Sequence, residues 1–332
     1  MEKYSSFALS CIGENHLRKG IVCQDSKLAI DNPKYVFAAS ADGHGSPCYL
    51  RTDRGSEYAV DCALECVDEF LRNLKDVEVD LDDQEQRDQL FGQLWRSIVS
   101  RWHNMTEEDY RFEPFTQEEL DGIPEQYAYY RERYLSGKYI DAYGTTLAFA
   151  VVTDDFAFCG QIGDGSCVVL DGKGDAMEPI PEDPRCHDNI TTSLCQDDAA
   201  YAARFCYFSK GSVPSAIFLG TDGIENSYWS RDQLYGFYRG LALTFSENGI
   251  EEGKRQLSEF LPEMTRRGSG DDVTCAGILN LEELKLLEEA LAGSLVPSSA
   301  EIQPAEANTD ENVIVTNETD SQPKTEAEST TE

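Results

Sequence analysis

Three apolar runs in the chain each end in Asp-Gly. Val36 to Ala41 precedes Asp42-Gly43, Phe156 to Gly163 precedes Asp164-Gly165, and Ala216 to Thr221 precedes Asp222-Gly223. Each reads as a buried strand that delivers a carboxylate at its tip, with a glycine that lets the chain turn at once. A further pair, Asp271-Asp272, opens the apolar run Val273 to Leu279. Carboxylates at strand ends, far apart in sequence, are how a rigid sheet builds an oxygen-lined site for a hard divalent cation.

The elements that must position these acids follow from hydrophobic periodicity. Strands are expected at 6–12, 26–30, up to Asp42, 145–153, 156–162, 166–170, 215–221 and 273–279. Helices are expected at 54–75, where Ala59, Ala63, Cys66, Val67, Phe70, Leu71 and Leu74 form one stripe, and at 84–104, with Leu90, Leu94, Ile98 and Trp102 on one face. Two more helical segments are expected at 231–246 and 249–264. The acidic, tyrosine-rich stretch 105–143 reads either as a lid or insertion or as a solvated connection pinned by aromatic anchors, and Thr116-Gln-Glu-Glu119 within it has the form of a capping box. Residues 176–214 read as a flap. Asp171 to Asp175 reads as a turn rather than a calcium loop, since it lacks the terminal bidentate glutamate.

The folded part is expected over 1–292. Beyond it, 293–332 is an acidic tail rich in Ser, Thr, Glu, Pro and Asn, with too little apolar surface to offset its ordering entropy and one short apolar run, Val313-Ile314-Val315. The formal net charge of −34, from 62 acidic and 28 basic residues, argues against nucleic acid or an anionic membrane as partner. The eleven cysteines are odd in number and form no Cys-x-x-Cys, and several (Cys62, Cys66, Cys159, Cys167 and Cys275) sit inside apolar runs, so disulfides are not expected. With no signal peptide and no apolar run of membrane-spanning length, the expected location is cytoplasmic.

The joint order of the motifs is more informative than any one of them. Gln24-Asp25, Asp42-Gly-His-Gly45, Gly144-Thr-Thr146, Gly163-Asp-Gly165, Thr221-Asp-Gly223 and Gly268-Ser-Gly-Asp-Asp-Val-Thr274 resemble the PP2C family of metal-dependent protein phosphatases, over about residues 5–280. The resemblance implies an α+β fold, a four-layer αββα sandwich of two antiparallel sheets flanked by helix pairs. It implies hydrolysis of phosphoserine and phosphothreonine in proteins by a water or hydroxide bridging two Mg²⁺ or Mn²⁺ ions. On that reading Asp42 bridges both metals, Gly43 offers its carbonyl, Asp222 and Asp271 bind the second metal, and Asp25 lies near the pair. All are hard oxygen donors. His44 is the expected general acid, with Asp42 as its neighbour in the catalytic set. The partners implied are a phosphorylated protein and a cognate Ser/Thr kinase.

Three positions depart from the family pattern. Gly20 stands where relatives often carry a phosphate-binding arginine, which leaves His16, Arg18 and Lys19 as substitute donors. Asp272 stands where many relatives have asparagine. Asp164 resembles a third-metal ligand, but its usual partner is here Asn226, so either a third ion or a plain turn is open. The missing arginine motivates the alternative of a catalytically weak binding module of the same fold that regulates a kinase or phosphoprotein. A phosphatase for small phosphoesters is a third reading.

Overall fold

Along Tyr35–Ala41 every residue is buried, yet the two faces of the strand go to different places. Val36 and Ala38 join one apolar cluster, while Tyr35, Phe37, Ala39 and Ala41 join another. This period of two is that of a strand packed on both sides, and it recurs in Leu147–Val152. The expected sandwich follows from it.

The computed structural model describes residues 3–76, 79–187, 190–294 and 314–315. In chain order the elements are β1 (Tyr4–Cys11), α1 (Glu14–Lys19), β2 (Ser26–Asn32), β3 (Tyr35–Ala41), α2 (Thr52–Asn73), α3 (Gln84–Phe112), α4 (Gln117–Asp121), α5 (Ala128–Leu135), β4 (Leu147–Val152), β5 (Phe156–Ile162), β6 (Ser166–Leu170), β7 (Ala176–Met177), β8 (Ile190–Thr191), α6 (Ala199–Ala202), β9 (Arg204–Ser209), β10 (Ala216–Gly220), α7 (Asp222–Glu225), α8 (Arg231–Arg267), β11 (Val273–Asn280), α9 (Leu281–Gly293) and β12 (Ile314–Val315). One antiparallel sheet runs β1-β11-β10-β6-β7 and the other β2-β3-β4-β5-β9.

Three apolar layers hold the stack together. Small side chains such as Ala38, Ala150, Ala157 and Ala276 pack with Val169, Ile217 and Ile278 between the sheets. Phe37, Phe149 and Phe158 pack the second sheet against Val60, Trp95 and Trp102 of α2 and α3. Phe7, Phe218 and Cys275 pack the first against Tyr238, Phe245, Leu257 and Leu284 of α8 and α9. The fold is therefore the αββα sandwich. α8 breaks at Gly249, whose φ of 80° only glycine adopts readily, so the two expected helical segments are real.

Several elements differ from expectation. The presumed loop 13–24 contains α1, a single turn and a half closed by Gly20 in the left-handed region. α3 continues to Phe112 and takes up the start of the presumed lid. Within the rest of that segment Leu120, Ile123, Tyr134 and Tyr143 are buried in the α2–α3 core, and the Thr116–Glu119 capping box forms. Residues 105–143 are thus an aromatic-anchored extension of the core rather than a lid. The flap is shorter than 176–214, because Arg204–Ser209 is the edge strand of the second sheet. The helix α9 was not expected.

Asp171 Oδ1 accepts from the N–H groups of Lys173 and Asp175, so 171–175 is a turn. All eleven cysteines are free. Among the described residues no helix is long and apolar enough to cross a membrane. Most of the tail lies outside the described residues, but Ile314–Val315 pairs in parallel with Ile190–Thr191 of the flap.

Candidate active site

Asp42 sits where β3 ends, and its backbone is clamped on both sides. Its N–H donates to Thr146 Oγ1 at 3.0 Å, and its carbonyl accepts from Thr146 N–H at 2.8 Å and Thr145 Oγ1 at 2.9 Å. The Gly-Thr-Thr motif is thus a brace for the carboxylate. Gly43 allows the turn: a Cβ there would stand 2.5 Å from Thr52 Oγ1 and 2.6 Å from the Gln24 carbonyl. Asp222 opens α7, and Asn226 Nδ2 donates to its Oδ2 at 3.0 Å.

The two carboxylates meet. The Asp42 and Asp222 carboxyls lie within hydrogen-bonding reach of each other. Asp25 joins from β2's leading end. Its Oδ2 accepts from Thr221 Oγ1 at 2.8 Å, and Thr274 adds a second hydroxyl. Asp271 is close enough to act on Asp25, Asp42 and Asp222. All four expected acids are therefore brought close enough to act on one another.

Electrostatics show what this pocket lacks. Burial, then neighbouring carboxylates, push Asp25, Asp42 and Asp222 well above the usual carboxylate range. No cationic side chain is among the main influences on any of the three. Among the described residues no three His, Cys, Asp or Glu side chains form a closed ion cage. The donor set is nevertheless all hard oxygen with an excess of negative charge, which suits Mg²⁺ or Mn²⁺ rather than a soft metal.

Both site histidines are buried. His44 is 2% exposed, its Nε2 is 2.8 Å from Ser193 Oγ, and its ring meets Tyr49 edge-on. Burial pushes its pKa down to about 3. His16 is turned inward as well, 2% exposed, with Nδ1 3.0 Å from Asp272 Oδ1. It is not presented to a phosphate. Arg18 is exposed and 3.1 Å from Glu14, and Lys19 is exposed at the end of α1. The structure does not bring these three basic residues together as one phosphate grip.

Asp164 lies on the β5–β6 turn beside Asp222, and Thr191 of the flap hydrogen-bonds it. It borders a cleft of about 240 Å³ between that turn and the flap, lined also by Gln161, Glu178, Glu182, Arg204 and Arg231. Arg204 donates to the carbonyls of Gly163 at 2.5 Å and Pro181 at 2.6 Å and so ties flap to turn.

Comparison with known proteins agrees with this fold. The profile of the family described as Protein phosphatase 2C matches residues 12–262. The chain belongs to the protein phosphatase 2C family. Among solved structures it is similar to the serine/threonine phosphatase Stp1 from Staphylococcus aureus, at 15% identity over 82% of this chain and 94% of that one, with a TM-score of 0.50. It is also similar to a bacterial serine phosphatase at 14% identity, over 82% of this chain and 96% of that one, again with a TM-score of 0.50. No curated protein matches by sequence. At these identities the structural neighbours speak for the fold.

In this protein phosphatase 2C chain, some of the residues that shape the candidate site are ones whose role the sequence does not spell out. Thr221 and Thr274 flank Asp222 and Asp271–Asp272 inside motifs already noted, so a signal for them existed. Ser193 had none. It reaches His44 from a segment 149 positions away.

Proposed function

We propose that this protein hydrolyses phosphoserine and phosphothreonine esters in proteins. The observation that carries the reading is the meeting of Asp42, Asp222, Asp25 and Asp271, where burial and neighbouring carboxylates push Asp25, Asp42 and Asp222 well above the usual carboxylate range. Family membership supports it. Two divalent ions held by Asp25, Asp42, the Gly43 carbonyl, Asp222 and Asp271 would supply Lewis acidity and the activated water.

The chain's own residues then have separate tasks. Thr145 and Thr146 keep Asp42 in place, and Thr221 with Thr274 does the same for Asp25. His44, buried two positions after Asp42, is the proposed general acid for the leaving oxygen. Arg18 and Lys19 are the basic side chains that the N-terminal segment offers an incoming phosphoprotein, while His16 is committed to Asp272. Asp164 is the residue through which a further cation would join, since it already acts on Asp222. The partners are phosphoproteins and the Ser/Thr kinases that make them. Eleven unpaired cysteines suit a reducing, cytoplasmic setting. No observation favours the non-catalytic alternative.

The test is turnover of a phosphothreonine peptide with Mg²⁺, with Mn²⁺ and with chelator. Activity is expected with either metal and none with chelator. Asp42→Ala and Asp222→Ala should abolish it; wild-type rates in either variant would refute the assignment.

A further inference from the structure

Cys159 and Cys206 face each other across two strands. They are register partners in the antiparallel pairing of β5 with β9. Both side chains pack in the layer between the sheets, while their neighbours Phe158, Phe205 and Tyr207 go to the α2–α3 side. Cys167 of β6, in the other sheet, belongs to the same layer, and both it and Cys206 lie within hydrogen-bonding reach of Cys159. All three thiols are free. We propose that this cluster is a peroxide-sensitive modification site, at which Cys206 is oxidised first and Cys159 then closes a disulfide between β5 and β9.

Directly opposite residues of an antiparallel pair have Cα atoms about 4.5–5.5 Å apart, inside the range of about 4.4–6.8 Å that a disulfide spans. The bond can therefore form by side-chain rotation, with the strand pairing kept. Exposure separates the roles. β9 is the edge strand of its sheet and Cys206 is half-buried, whereas Cys159 and Cys167 are enclosed, so a small oxidant meets Cys206 first. Hydrogen bonds with Cys167 and Cys206, and then burial, hold the Cys159 thiol well above its usual range, which makes it the resolving thiol rather than the attacking one. Cys11, Cys23 and Cys186 are half-buried as well, but among the described residues none of them has a cysteine as its strand-register partner.

The sequence of steps consumes one hydrogen peroxide. The Cys206 thiolate attacks one peroxide oxygen, the S–O bond forms, the O–O bond breaks, and the hydroxide that leaves takes up the proton the thiol released. The sulfur has lost two electrons and the peroxide has gained them. The Cys159 sulfur then attacks the Cys206 sulfur. The S–S bond forms, the S–O bond breaks, and the departing hydroxide leaves as water with the Cys159 proton. Two thiols and one peroxide thus give one disulfide and two waters. A reducing thiol reverses the bond, as suits a transient disulfide in a reducing compartment. The loop it closes contains Asp164, and β9 is the strand by which the flap returns to the sheet. Oxidation therefore tethers the flap's exit to the strand that leads to Asp164.

The experiment treats the full chain with hydrogen peroxide, alkylates the remaining thiols and maps the digest without reductant. A peptide pair linked through Cys159 and Cys206 is expected, and dithiothreitol should separate it. Before oxidation, iodoacetamide should label Cys206 at least about tenfold faster than Cys159 or Cys167, because thiol reactivity follows exposure and thiolate character. Cys159→Ala should remove the linkage and leave a sulfenic acid on Cys206 that dimedone traps. Cys167→Ala should leave the linkage in place. A wild-type map with no linked pair, which needs no variant at all, would overturn the proposal. So would a Cys159–Cys167 link in its place, equal labelling rates for the three thiols, or a folded Cys159→Ala chain with no dimedone adduct on Cys206.

Discussion

Asp272 and His16 form a buried pair, Oδ1 to Nδ1 at 3.0 Å, with both side chains almost fully enclosed. The same carboxylate accepts from Gly13 N–H and Gln24 N–H, each at 2.6 Å. One side chain on β11's leading edge therefore fastens both ends of the segment that contains α1 and delivers Asp25. This arrangement accounts for two departures from the family pattern at once: the aspartate in place of asparagine and the inward histidine belong together.

Asp272→Asn should therefore be destabilising even though the shape is conserved. The amide has one oxygen for two N–H donors and no charge for His16, and breaking a buried pair costs about 3–5 kcal/mol. Urea unfolding at pH 7 measures it. A double-mutant cycle with His16→Ala should show coupling above about 1 kcal/mol; strict additivity would mean the pair is incidental.

Acid should weaken the α2–α3 side through Asp109. Burial raises its pKa, but hydrogen bonds from Tyr143, Tyr58 and Arg54 outweigh this and leave it below the usual value of 3.8. A depressed folded pKa gives stability that is complete above the unfolded value and is lost as pH falls through the folded one. Stability measured from pH 5 down to pH 2 should fall more steeply in the wild type than in Asp109→Asn. Equal slopes would remove Asp109 from the account.

Charge relief should reverse sign with metal. With chelator, Asp42→Asn removes one of the mutually repelling acids and should raise Tm slightly. With excess Mn²⁺ the wild type should gain stability by linkage, about 2.7 kcal/mol at a hundredfold excess over Kd, and the variant should gain much less. A melt series with and without Mn²⁺ decides this; identical metal responses would contradict the role given to Asp42.

Gly43→Ala tests whether the turn after Asp42 needs a bare backbone. Its Cβ would fall 2.5–2.6 Å from Thr52 Oγ1 and the Gln24 carbonyl. Relieving that clash must move Asp42 or the segment entering Asp25, so turnover should drop by at least about tenfold, given how steeply catalysis depends on placement. Unaltered turnover would show that the loop tolerates the shift.

Removing residues 294–332 takes away the strand that pairs with Ile190 and Thr191 and leaves Ile190 its bridge to His187. Amide exchange at the flap strand should quicken while β3 and β4 stay protected. No change at 190–191 would mean that the tail leaves the flap alone.

Residue types and local order determined much here. Continuous apolar runs closed by Asp-Gly predicted β3, β5 and β10 and put a carboxylate at or just beyond each tip, because a strand buried on both faces leaves no polar alternation and glycine is needed where the chain turns under Thr52. The break between the two halves of α8 was also legible, because a glycine at positive φ interrupts the periodicity. Only the tertiary structure decided which side chains meet. α1 was too short for periodicity to reveal, and Arg204–Ser209 was hidden among flap residues because an edge strand lacks a run of buried apolar side chains. The inward turn of His16, the burial of His44, and the reach of Ser193 all depend on contacts between segments far apart in the chain. A local pattern records how each segment folds against a generic core; it holds no information on which distant hydroxyl or carboxylate will stand opposite a given ring nitrogen.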